Sequence, residues 1–363
     1  MTLRKAFYAI KPIIPRGLQL TMRRKYVALQ KQRYGHIWPI DPRAGVAPED
    51  WQGWPEGKRF AVVLTHDVEW AEGQDKSPLL MNLEQERGFR SSFNFVPERY
   101  EVSAEIRKRL TQNGFEVGVH GLRHDGKLFR SRMEFERRAI RINQYIQAWD
   151  AVGFRAPAMH HNLDWLHRLD ILYDASTFDV DPFEPQADGV GTIFPFWVPN
   201  QSDDGGYVEL PYTVAQDFTP FVLMQEKKID FWKKKVDWIV EKGGMVLVNT
   251  HPDYMNFGDA PLGAEQFPVE RYLELLDYIQ SEYAGEFWHA LPKDVAVFIK
   301  KQHVEDDHHA STSEFRIDSS KFELPESDQN SGSVTKDSDA TLKNKSRHKT
   351  LHHVSKHDET ITC

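Results

Sequence analysis

The 363-residue sequence predicts an α/β fold in which parallel strands close into a barrel, followed by a disordered polar tail. Three observations carry this expectation. Apolar, β-branched runs alternate along the chain with segments of helical periodicity, the pattern of a parallel sheet. Six or seven such strand–helix units occur before residue 300, which suits a barrel better than an open sheet. Past Gln302 the composition changes to DDHH, STSEF, SDQNSGS, KDSD and KNKSRHK, a segment too poor in apolar residues to offset its ordering entropy.

Residues 1–50 read as a helical or extended segment that packs on the barrel. Its start, MTLRKAFYAIKPIIPRGLQLTMRRKY, is basic, and Lys5, Lys11, Pro12, Pro15 and Arg16 interrupt the apolar core a signal peptide would need. That basic face is a candidate contact for a membrane surface or for polysaccharide-synthesis machinery. The barrel domain spans residues 51–302. It opens with FAVVL (60–64), an apolar run without alternation, as in a strand covered on both faces. SSFNFV (91–96), EVGVH (116–120), GFRAP (153–157), VELPY (208–212), MVLVNTH (245–251) and EFWHAL (286–291) follow as strands.

Between the strands, Ser103 to Asn113 reads as a helix with Ser103 as its N-cap and Gly114 just past its end. Phe135, Ala139, Ile142, Ile146 and Trp149 recur at spacings of four and three and mark a core-facing helix. Asp230 to Lys242 ends at Gly243-Gly244, and Val269 to Tyr283 buries Tyr272, Leu276, Ile279 and Tyr283. Residues 303–363 form the tail. Seven of the sixteen His lie there, at His303, His308, His309, His348, His352, His353 and His357, but a drifting segment offers no fixed ligand geometry.

Composition narrows the function. No run of about 18 apolar residues exists to span a bilayer, and the expected location is cytoplasmic. Cys363 is the single cysteine, which excludes disulfides within the chain and cysteine metal sites, so any metal must use His, Asp or Glu. A net charge of −8 argues against a nucleic-acid partner.

The chemistry gathers where apolar runs end, at the strand edge that carries ligands in parallel α/β sheets. FAVVLTHDVEW ends in Asp67 and Glu69. EVGVHGLRHDGKLF follows its strand with His120 and His124; four residues apart on a helical turn, both imidazoles project to one side. Two His and one carboxylate leave open positions on a divalent ion for water and substrate, the pattern of a hydrolytic metal site. FRAPAMHHN places Arg155 at another strand end, where its permanent charge would hold Asp67 ionised. LVNTHPDY ends in His251, suited to protonate a leaving amine. His160 and His161 are adjacent and point apart on an extended chain, so at most one of them faces the site. Trp70, Phe183, Phe194, Phe196, Trp197 and Tyr254 are candidates for stacking on sugar rings.

Taken in order, THDVE, HGLRH, RAP, YDASTFDVDPFEPQ (173–186) and THPDY resemble the motifs of the NodB-type polysaccharide deacetylases, carbohydrate esterase family 4-like proteins. The similarity is strongest to a bacterial branch whose first motif reads Thr-His-Asp-Val-acid, and it covers about residues 35–300. The resemblance implies a distorted (β/α) barrel of about seven parallel strands. It also implies a metal-dependent hydrolase that removes an N-acetyl group from an amino sugar in a polysaccharide, lipid-linked or nucleotide-linked glycan, in surface polysaccharide biosynthesis. By the same resemblance Asp67 is the base, His120 and His124 bind a divalent ion, zinc or alternatively nickel or cobalt, Arg155 orients the base, and His251 is the acid. The commoner family motif has two adjacent Asp, the second a ligand; here Val68 follows Asp67, and a similar Asp-x-Asp spacing assigns the ligand to Glu69. Alternative readings are an amide or imide hydrolase or deformylase acting on a small metabolite, and an inert glycan-binding homologue.

Overall fold

The computed structural model describes residues 15–200 and 205–307. Its helices are α1 (Arg16–Tyr34), α2 (Ala71–Glu86), α3 (Ala104–Gln112), α4 (Arg132–Trp149), the single turn α5 (Leu163–Leu166), α6 (Asp230–Lys242), α7 (Glu270–Glu282) and α8 (Pro292–Asp307). Its strands are β1 (Phe60–Val68), β2 (Ser92–Phe95), β3 (Glu116–His120), β4 (Gly153–Arg155), β5 (Tyr173–Asp174), β6 (Phe196–Pro199), β7 (Gly206–Glu209), β8 (Met245–Thr250), β9 (Met255–Asn256), β10 (Phe267–Pro268) and β11 (Phe287–His289).

β1 to β5 and then β7 lie side by side in parallel, and β8 pairs with the other edge of β1. The chain leaving β7 closes the ring on β8 through a parallel bridge between Val214 and Val248, with the Thr213 N–H donating to the Leu247 carbonyl at 3.2 Å. The ring is therefore β8, β1, β2, β3, β4, β5 and β7, seven parallel strands of unequal length. β6 is antiparallel on β7. β11 lies beside only the first half of β1, Phe60 opposite Phe287, before β2 takes over at Thr65.

Every residue of β1 is buried, as a strand covered on both faces requires. Ala61 and Val63 point into the barrel with Tyr173, Ala175, Tyr212 and Leu247, where Val295, Ala296 and Ile299 of α8 join them. Phe60, Val62, Leu64 and Val68 point outward to Trp232, Val236, Tyr272, Leu276 and Ile279 of α6 and α7. Thr65 and Asp67 continue the inward row, so the period of two that packs the barrel also aims Asp67 at its axis.

Three features depart from the sequence expectations. β5 is two residues long and owes its pairing to β4 and β7 more than to its own composition. α2 carries Pro78 internally, a residue that argues against a helix when read alone; it opens the third turn, where the preceding Ser77 Oγ donates to the Gly73 carbonyl at 2.9 Å. α8 runs through residue 307, past the expected boundary at 303, and the His303 ring stacks on Trp197 with centroids 4.9 Å apart. The remaining tail, 308–363, lies outside the described residues. No helix among the described residues is long and apolar enough to cross a membrane.

Candidate active site

A cleft of about 710 Å³ opens over the C-terminal ends of the strands, lined by Asp67, Glu69, His120, His124 and His251. Asp67 is the fixed point. Its Oδ1 accepts from Asn94 Nδ2 at 3.0 Å and from Arg155 Nη1 at 3.3 Å, and its Oδ2 accepts from Asn249 Nδ2 at 2.9 Å. Asn94 stands beside Asp67 on β2, and Gly118 on its other side, in β3, leaves room for its amide, which any side chain there would strike. Arg155 is fully buried at the end of β4 and also donates to Thr65 Oγ1 at 2.8 Å, Asn249 Oδ1 at 2.5 Å and the Ala175 carbonyl at 2.7 Å. Burial alone would raise the Asp67 pKa, but His120, Arg155 and His251, with the Asn94 hydrogen bond, hold the carboxyl well below its ordinary range.

Glu69 follows β1 and turns toward β3. Its Oε1 lies 2.8 Å from His124 Nε2, and its Oε2 accepts from the Tyr254 hydroxyl at 3.0 Å. His120 presents Nδ1 to the Arg155 carbonyl at 3.1 Å, which makes Nδ1 the protonated nitrogen and leaves the Nε2 lone pair to face the site. Burial lowers the His120 pKa to about 4 against the pull of Asp67, so the imidazole is neutral, as a ligand must be. Nε2 of His120 is buried with no hydrogen-bond partner, and Nε2 of His124, also buried, meets only the Glu69 carboxylate. One ligand atom from each of Glu69, His120 and His124 lies within 4.8 Å of the others. An unpaired buried imidazole nitrogen beside a second imidazole and a carboxylate fits a divalent ion.

His251 stands opposite, its Nε2 4.0 Å from Asp67 Oδ2 and 3.9 Å from Glu69 Oε1. Behind it Asp217 accepts from Nδ1 at 2.6 Å and from the His251 backbone N–H at 2.7 Å. Burial works against a charged ring, but Asp217, Glu69 and Asp67 outweigh it and push the pKa up to about 10. The site thus holds an ionised carboxylate and a protonated imidazole at neutral pH, about 4 Å apart beside the Glu69–His120–His124 set.

The fold has relatives among solved structures. A candidate polysaccharide deacetylase from Mycobacterium smegmatis matches with a TM-score of 0.54 at 18% identity, over 71% of this chain and 96% of that one. Puue allantoinase matches with 0.56 at 14% identity, over 73% of this chain and 98% of that one. A candidate polysaccharide deacetylase from Pseudomonas aeruginosa PAO1 matches with 0.55 at 14% identity, over 73% and 99%. The chain has the polysaccharide deacetylase fold. No family model matches the sequence, and no curated protein does; the likeness lives in the backbone.

Within this deacetylase fold, the six residues singled out from the sequence converge: five line the cleft and Arg155 touches Asp67 from beneath. Neither His160 nor His161 lines it; His161 Nδ1 instead turns back to the Met159 carbonyl at 2.9 Å. Of the candidate stacking aromatics, Trp70, Phe183 and Tyr254 line the cleft, whereas Phe194 and Phe196 are buried elsewhere. Sequence reasoning missed Asn94, Asn249, Asp217 and Asp253. Asn94 and Asn249 had a signal, each a polar residue inside an apolar strand; Asp217 sits in no periodic segment and had none. Asp253, in the THPDY motif, accepts from the Glu69 and Trp70 backbone N–H groups at 2.9 Å each and so sets the turn that presents Glu69.

Proposed function

We propose that the protein is a metal-dependent hydrolase that removes the N-acetyl group from an amino sugar of a glycan. The reading rests on one observation: Glu69, His120 and His124 bring ligand atoms within 4.8 Å of one another, the buried His120 Nε2 unpaired, beside a buried aspartate held ionised and a buried histidine held protonated. A divalent ion held by Glu69, His120 and His124, with zinc, nickel and cobalt the candidates, would supply Lewis acidity to the acetamide carbonyl and to a water molecule. Asp67, pinned by Asn94, Asn249 and Arg155, accepts the proton of the attacking water. Asp217 holds the His251 ring so that Nε2–H faces the same space, and that proton goes to the amine as the C–N bond breaks. The products are acetate and a free amino sugar. Trp70, 51% exposed at the cleft wall with the Arg99 guanidinium 3.3 Å from its ring centroid, offers indole surface to a sugar ring.

A second reading, hydrolysis of a small cyclic amide, is favoured by the allantoinase, whose backbone matches with a TM-score of 0.56 beside 0.54 and 0.55 for the two deacetylases. One panel separates the two. Protein supplied with zinc, nickel or cobalt is incubated with N-acetylated oligosaccharides, nucleotide-linked and lipid-linked acetamido sugars, formylated sugars and allantoin. Acetate release is the expected result. Ring opening without acetate selects the second reading, and no bound metal together with no acetate release selects an inert glycan-binding homologue.

A further inference from the structure

Helix α1 is apolar on two opposite faces. Leu20 and Val27 are buried against Val222 and Leu223. Leu18, Met22 and Leu29 are 53%, 42% and 68% exposed. At about 100° per residue those three fall within roughly 40° of one another and stand roughly opposite Leu20 and Val27. A surface helix normally turns a polar face to water, so this second apolar stripe marks a contact. Lys25 and Arg33 project on either side of the stripe and are exposed.

Charge says what the contact is. The first forty residues hold nine Lys or Arg and no Asp or Glu, in a chain whose net charge is −8. A second copy of this helix would bring like charges together, whereas a uniformly anionic surface complements it. Position gives the consequence. Tyr26, 52% exposed next to the stripe, also lines the catalytic cleft together with Arg23 and Val27.

We propose that α1 docks the protein on an anionic phospholipid bilayer, with Leu18, Met22 and Leu29 in the acyl boundary and Lys25 and Arg33 among the headgroups, so that the cleft opens beside the membrane surface. The inference is independent of the reaction proposed above, because vesicle binding needs no turnover. It goes further than the basic composition of the N-terminal segment by naming the apolar face that inserts.

The full chain is mixed with phosphatidylcholine vesicles, with and without about a third phosphatidylglycerol, and binding is read by co-sedimentation. Binding is expected on the anionic vesicles only and should weaken at high salt. The triple variant Leu18→Ser, Met22→Ser, Leu29→Ser should bind more than roughly tenfold more weakly, with an unchanged melting temperature because all three side chains are exposed. If that variant misfolds, the pair Lys25→Glu, Arg33→Glu decides, and it should also lose anionic-vesicle binding. Failure of the wild-type chain to bind overturns the proposal. So does undiminished binding by the folded triple variant, or a wild-type dimer that the triple variant turns into a monomer.

Discussion

Asp67 carries a charge that its burial opposes, and Arg155, the protonated His251, the His120 ring and two side-chain amides hold it there. Asp67→Asn keeps the shape and removes the proton acceptor. It should retain metal and lose about 10²–10⁴-fold in kcat; wild-type turnover would exclude Asp67 as the base. If His251 is the acid, it must be protonated while Asp67 is ionised, so activity should hold across neutral pH and fall as pH rises toward about 10. The folded-state pKa of His251 lies above its ordinary 6.5. Its contribution to stability is therefore complete below about 6.5 and lost as pH rises through about 10. Asp217→Asn removes the strongest support for the imidazolium, and the descending limb of the pH–rate profile should move to lower pH. An unmoved limb would separate His251 from the acid role. Asp67, Glu69, His120, Arg155 and His251 were legible because each ends an apolar run. Asp217 was not, because nothing local marks a loop acid that tertiary structure brings to a histidine thirty-four residues away.

The turn from β1 into α2 is where an element sets the chemistry. Asp253 accepts from the Glu69 and Trp70 N–H groups, and Gly73 packs so close that any side chain there would strike its carboxylate. Asp253→Ala should lower stability by about 1–3 kcal/mol, because two partly buried donors lose their partner, and should weaken metal binding by freeing Glu69. A denaturant melt and a metal titration check the two effects, and metal affinity equal to wild type would mean that Glu69 is held by other contacts. Gly73→Ala should act in the same direction. Helices with local stop signals were readable in advance: Ser103 Oγ caps the Ile106 N–H of α3, and Gly243 closes α6 at φ +72°. α2 and β5 were not, since Pro78 hides the first and the second is only two residues long.

At the scale of the molecule, the alternation of strands and helices predicted a barrel, and seven parallel strands close it through the Val214–Val248 bridge. The ring order was less legible. EFWHAL looks like any other strand, yet β11 covers only half of β1, because pairing partners are chosen by the whole sheet. α8 is the last element among the described residues. Truncation after Asp307 should leave folding and turnover unchanged, on the polar composition of what is removed. Truncation after Gln302 should lower the melting temperature, because the His303–Trp197 stack goes with it; equal melting temperatures would place the boundary earlier. Glu69, His120 and His124 are proposed to hold one divalent ion beside Asp67 and His251. Equilibrium dialysis against zinc tests it most directly, on the wild-type chain and on Glu69→Gln, His120→Ala and His124→Ala. The predicted result is about one ion per wild-type chain and loss of stoichiometric binding in each variant. No ion in the wild type, or a full complement in all three variants, would contradict it.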